Sequence, residues 1–127
     1  MILADWMILI AAFLPLVSVG IAKAGAPGFD NAKPRDPAFY ANPLRARALG
    51  AHNNGIETFP FFAAAVLLAE FRHVPQQTID ALAVTFIVLR LLFVWAYLGN
   101  WPWTRTLLWN AGFAANVAIF FAPWWAR

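Results

Sequence analysis

The 127-residue sequence predicts an all-α integral membrane protein, built as a four-helix up-and-down bundle. Three observations carry that prediction. Hydrophobic residues make up 62% of the chain and charged residues only 12%, where a soluble domain carries roughly 25% charged. The apolar residues fall into four long runs, separated by stretches rich in Pro, Gly and Asn. The two later connections are only a few residues long, so the helices they join must run antiparallel as neighbours. One domain spanning residues 1–127 is expected at this length.

The first helix covers about residues 3–25, ending through Lys23 and Gly25. Pro15 lies inside it and is expected to kink it, which membrane helices tolerate when neighbours satisfy the freed carbonyl. Asp5 is the only early charge, and no small-residue cleavage site precedes the loop, so this run reads as an uncleaved first helix rather than a signal peptide. The loop from Ala26 to Pro37 is dense in turn formers. A second helix begins at Pro43, with Asn42 as its N-cap, and runs to about Arg72. It is longer than a bilayer requires, which leaves its basic first turns at the headgroups. His73-Val74-Pro75 turns the chain into a third helix, residues 76–98. Gly99-Asn100-Trp101-Pro102 turns it again into a fourth, about 103–122.

Charge sets the orientation. Lys23, Lys33, Arg35, Arg45, Arg47 and Arg105 fall on the side of the first and third loops, against Arg72 and Arg127 on the other. By the positive-inside rule the first side is cytoplasmic and both termini face out, toward the periplasm of a bacterial inner membrane. Trp6, Trp124 and Trp125 form one aromatic belt, and Tyr97, Trp101 and Trp103 the other. The absence of cysteine excludes disulfides, thiolate metal sites and a catalytic cysteine. Two histidines far apart argue against a metal site. No polybasic or aromatic–basic patch points to nucleic acid.

The second helix carries Arg47, Asn54 and Glu57 on one face, running into an apolar stretch. An ionisable group at a membrane helix centre costs roughly 2.5–3.5 kcal/mol on insertion scales, so Glu57 needs a reason to be there. Arg90, seven residues before Tyr97 in the third helix, is the only basic residue deep enough to pair with it. Pro60 lacks an N–H and leaves the Ile56 carbonyl without its helical donor. A Glu57–Arg90 lock between helices explains the same residues without any ligand. His52 reads as a hydrogen-bonded interfacial residue, Asn110 and Asn116 as helix–helix contacts, and Lys23, Lys33 and Arg35 as contacts to lipid headgroups.

The segment Ala51-His52-x-Asn54-x-x-Glu57-x-x-Pro60-x-Phe62, followed by Arg90-x6-Tyr97-Leu98-Gly99 and then Arg105, resembles the signature of the MAPEG family. These are the membrane-associated proteins of eicosanoid and glutathione metabolism. The loop Gly28-Phe29-Asp30-Asn31-x-x-Pro34-Arg35 is closer to its bacterial members. The resemblance implies a homotrimer with sites between adjacent subunits, open to membrane and cytoplasm, that hold glutathione as co-substrate. It implies that Asn54 and Glu57 contact glutathione and that Arg90 and Tyr97 line the same pocket. Arg105, after a one-residue gap, matches the arginine that stabilises the thiolate. A cation beside a thiol lowers its pKa and raises the thiolate fraction. The pattern departs at Gly50, where eukaryotic members carry an arginine for a glutathione carboxylate. Arg47, about one turn earlier, and His52 complete the candidate binding residues. The implied function is a glutathione-dependent transferase or peroxidase acting on lipophilic electrophiles or lipid hydroperoxides. A non-catalytic trimer binding a lipid or small ligand, and a purely structural trimer, stand beside it.

Overall fold

The computed structural model describes residues 1–24 and 27–126. Within them lie four α-helices: α1 Leu3–Lys23, α2 Pro43–Phe71, α3 Gln76–Leu98 and α4 Pro102–Trp125, with a 3₁₀ turn at Phe39–Ala41. α1 stops at Lys23, beyond which Ala24 is extended. Gly25, expected to end that helix, Ala26, expected to start the loop, and Arg127 lie outside the described residues. α4 passes Ala122 and continues through Pro123 to Trp125, because a proline this near a helix end removes little of the ladder. There Trp125 Nε1 donates to the Ala118 carbonyl at 3.1 Å.

Asn42 starts α2 as expected, its Oδ1 accepting from the amides of Leu44 (3.0 Å) and Arg45 (3.3 Å), with Pro43 at the first helical position. The two tight connections each place one residue in the left-handed region, His73 and Asn100, both at φ 58°. The amides that follow reach back to the helix just ended, Val74 to the Ala69 carbonyl (3.1 Å) and Trp101 to that of Ala96 (2.9 Å).

α1, α3 and α4 are long and apolar enough to cross a membrane. At 1.5 Å per residue they span roughly 31–36 Å, against a hydrocarbon core of about 30 Å. The 29-residue α2 falls short by composition, because His52, Asn53, Asn54 and Glu57 dilute the stretch that would cross. Exposed Leu9, Phe13, Leu16, Trp95 and Leu107 suit a lipid-facing surface, with Trp6 and Trp124 exposed at one end and Trp101 and Trp103 at the other. The chain is an integral membrane four-helix bundle.

α1 packs mainly on α2, and α3 mainly on α4, while α2 also meets both α3 and α4. The core between them is built of alanines (among them Ala65, Ala69, Ala83 and Ala115) around Phe62 stacked on Phe86, ring centroids 4.1 Å apart. Small residues let membrane helices approach until their backbones nearly touch. Gly55 shows how tight this is: a Cβ there would lie 2.7 Å from Pro15 Cγ. Gly55→Ala should therefore push α1 off α2 and lower stability by about 1–3 kcal/mol, the usual scale of overpacking. Unfolding in micelles measures this, and an unchanged midpoint would contradict the close contact.

Among the described residues, the side-chain hydrogen bonds that cross between helices all join α1, α2 and α3. Asp80 accepts from the Ala4 amide (3.0 Å), capping α1 from α3, and Gln76 donates to both Asp80 and Glu70. Those made by Thr106, Asn110 and Trp125 stay within α4. Asn110, expected to bridge helices, is exposed and donates to the Thr106 carbonyl one turn earlier. The first loop folds back, burying Phe39 and Tyr40 against Ala22 and Ala48. Lys23, partly exposed, lies over the Phe29 ring, 4.7 Å from its centroid.

Candidate functional site

An open groove of about 420 Å³ lies where α2, α3 and α4 meet. α2 contributes Asn54 and Glu57, the end of α3 contributes Tyr97, and the first turn of α4 contributes Arg105. The up-and-down topology brings these residues to one end, since α2 and α4 both start where α3 stops. Gly50, Asn53, Phe93, Thr106 and Trp109 complete the lining. A smaller pocket of about 190 Å³ continues inward, sharing Asn54, Glu57 and Trp109 and adding Arg90 and Asn116.

The expected Glu57–Arg90 pair does not form. Arg90 is buried and donates from a terminal guanidinium nitrogen to Asn54 Oδ1 at 2.8 Å, with its guanidinium 4.2 Å from the Phe93 ring centroid. Three residues turn a helix by about 300°, which leaves Glu57 about 60° around the axis from Asn54. That rotation is enough to put Asn54 against α3 and leave Glu57 exposed. Glu57 consequently also borders a second groove, about 780 Å³, on the α1 side of α2, together with Lys23, Arg35 and His52. With its oxygen taken by Arg90, Asn54 keeps its NH₂ group as a donor for a ligand.

Two of the sequence candidates lie away from the first groove. Arg47 donates from Nε to the Leu98 carbonyl at 3.2 Å, capping the C-terminal end of α3, where a cation is favoured. His52 Nδ1 lies 2.6 Å from the Pro15 carbonyl, tying α2 to α1. A carbonyl can only accept, so this bond puts the proton of a neutral ring on Nδ1.

Tyr97 organises the end of the groove nearest the α3–α4 turn. Its ring carries the Arg105 guanidinium 4.5 Å from the ring centroid and meets Phe93 edge-on at 5.6 Å. Its hydroxyl end presses against Gly50, where a Cβ would come within 2.7 Å of Tyr97 Cζ. The glycine therefore has a local cause: the tyrosine fills the space that any side chain at position 50 would need. Arg105 is half-buried; its amide donates to the Trp101 carbonyl at 2.9 Å, and among the described residues its guanidinium makes no hydrogen bond to protein. Its donors are available to an anion in the groove.

Phe93, Thr106 and Trp109 were not singled out from the sequence, although a signal existed. Phe93 stands four residues before Tyr97 and Trp109 four after Arg105, so each shares a helix face with a residue already suspected. No curated protein and no solved structure gives a match. The MAPEG family model matches residues 3–125. That match takes in all four helices and every side chain on the groove. The chain belongs to the MAPEG family.

Proposed function

We propose that the protein is a glutathione-dependent transferase or peroxidase acting on lipophilic electrophiles or lipid hydroperoxides. One observation carries the reading: Asn54, Glu57, Tyr97 and Arg105, from three helices, line a single groove. Its volume falls in the range of small-molecule sites, roughly 300–1,000 Å³. Glutathione has an ammonium, two carboxylates and a thiol. Glu57 suits the ammonium, while Arg105 and the Asn54 NH₂ suit anionic groups. Bound glutathione supplies the nucleophilic thiol; Arg105 favours its thiolate, and Tyr97 holds Arg105 in place. Arg90 fixes the Asn54 oxygen. Arg47 and His52 support the site indirectly, through the end of α3 and the α1 contact. Family membership supports a homotrimer with sites between subunits. The basic first loop and first turns of α2 support an inner-membrane protein with this end in the cytoplasm, where glutathione is available.

Calorimetry of glutathione with the purified protein, in detergent and in lipid, tests this, with oxidised glutathione as comparison. Saturable binding in the micromolar-to-millimolar range is expected. A hydrogen bond to a charged group contributes about 1.5–3 kcal/mol, so Glu57→Gln should weaken binding about tenfold or more. Absence of binding at cytoplasmic glutathione levels would refute the reading. It would favour the second one, a non-catalytic membrane trimer holding a lipid or small ligand, which the missing side chain at Gly50 supports.

A further inference from the structure

The outer groove and the inner pocket are successive compartments of one seam between α2, α3 and α4. On α2 the lining passes from Gly50 and Asn53 in the groove to Thr58 and Phe61 in the pocket. On α4 it passes from Arg105 to Gly112 and Phe113, and on the antiparallel α3 from Tyr97 and Phe93 to Arg90 and Phe86. All three helices thus carry the seam in one direction, inward from Arg105. Three residues line both compartments: Asn54, Glu57 and Trp109. Trp109 has the largest side chain of the three and is the one that α4 supplies. Its ring is stacked on Phe113, with centroids 5.4 Å apart and an interplanar angle of 5°. Phe113 in turn meets Phe61 of α2 at 5.9 Å. An aromatic column therefore holds the indole at the junction of the two compartments.

That junction limits what can extend past it. Trp109 stands four residues after Arg105, about 6 Å along the helix. A co-substrate whose reacting atom lies near Arg105 therefore meets the indole with the part of its structure next in line. Beyond Trp109 the pocket holds about 190 Å³, with room left by the missing side chain at Gly112. An apolar protein cavity of about 150 Å³ is enough to bind benzene. A rigid ring fits that volume and packs well on Phe61, Phe86 and Phe113. A long alkyl chain exceeds it and gives up its rotamer freedom on entering. We propose that Trp109 is the specificity-determining residue of the site: it passes a compact, ring-sized apolar group into the inner pocket and excludes a long flexible chain. The co-substrate role rests on the glutathione reading above. The size filter does not, and its test begins without glutathione.

Fluorine NMR titration of the purified protein in micelles, with empty micelles subtracted, compares fluorobenzene with 1-fluorodecane. The native protein should bind fluorobenzene saturably and at least about tenfold tighter, since one methylene of misfit already discriminates by about 10–200-fold. Trp109→Ala should bring that preference to near one by letting the chain through. Gly112→Leu should abolish saturable fluorobenzene binding. A Cβ there meets Phe86 Cε2 at 3.8 Å, an ordinary contact, and the rest of the side chain fills the pocket. Equal affinity of the native protein for the two probes overturns the proposal, as does a preference that persists in Trp109→Ala. Should Trp109→Ala fail to fold, Gly112→Leu decides: unchanged fluorobenzene binding there places the ring elsewhere and overturns it. With glutathione, 4-phenylbut-3-en-2-one is compared with 3-tridecen-2-one. The sulfur adds to the β-carbon of either enone and the α-carbon takes up the thiol proton, so the two differ in the group to be accommodated. The ratio of their kcat/KM values should shift toward the long chain at least about tenfold in Trp109→Ala, and an unchanged ratio removes Trp109 from specificity. Absence of turnover with both enones counts against the glutathione reading, and the fluorinated probes decide the filter independently.

Discussion

Arg105→Ala is expected to reduce glutathione-dependent turnover by roughly 10²–10³-fold, the scale seen when one preorganised donor to a reacting anion is removed. Among the described residues Arg105 is the cation that lines the outer groove. A free thiol titrates near pH 8.5, so at neutral pH only a few per cent is thiolate. A fixed cation beside the sulfur lowers that pKa and makes the thiolate abundant at neutral pH. Without the cation the pKa returns upward, so the alkaline rise of the rate profile should move to higher pH in the variant. Arg105→Lys should fall between, keeping the charge but losing the planar group that stacks on Tyr97. Wild-type turnover with an unmoved pH profile in Arg105→Ala would remove Arg105 from the chemistry.

The second large effect runs against a simple reading of the family pattern. Eukaryotic MAPEG enzymes carry an arginine at the position of Gly50, which suggests that Gly50→Arg would strengthen glutathione binding. The structure predicts the reverse. A Cβ at this position lies 2.7 Å from Tyr97 Cζ, closer than real side-chain contacts, so the tyrosine must leave its place. Tyr97 supports Arg105, and its displacement should disturb both partners. We expect glutathione affinity to fall more than about tenfold, with a stability loss of about 1–3 kcal/mol from overpacking. Shortening the tyrosine in Gly50→Arg/Tyr97→Ala should recover most of the stability, a coupling that a double-mutant cycle reads directly. A stable Gly50→Arg protein with tighter binding would show that Tyr97 does not hold position 50 closed.

The four helices were legible because membrane spans are long apolar runs and their ends carry breakers with fixed backbone meanings. Asn42-Pro43 shows this, as do the two turns around His73 and Asn100. The groove was legible to the extent that Asn54, Glu57, Tyr97 and Arg105 follow a spacing that the topology brings together. What escaped depended on rotation and reach across the bundle. A shared face does not distinguish Asn54, turned to Arg90, from Glu57, turned outward. Arg47 looked like a spare cation until the end of α3 was placed beside it. Gly50 looked like a lost side chain, because its cause stands 47 residues away in Tyr97. Asn110 and Asn116 look alike in sequence, yet one satisfies itself within α4 and the other has no partner among the described residues.

The uneven distribution of cross-helix hydrogen bonds sets α4 apart from the other three helices within the bilayer. α1, α2 and α3 are stitched together by polar bonds that are hard to break where no water can replace them. α4 is held by nonpolar packing, by its short link to α3 and by Arg105 over Tyr97. Lipid chains offer much the same dispersion contacts that α4 would give up by moving outward. Among the described residues α4 is thus the helix that meets the others through side-chain packing without a side-chain hydrogen bond between helices.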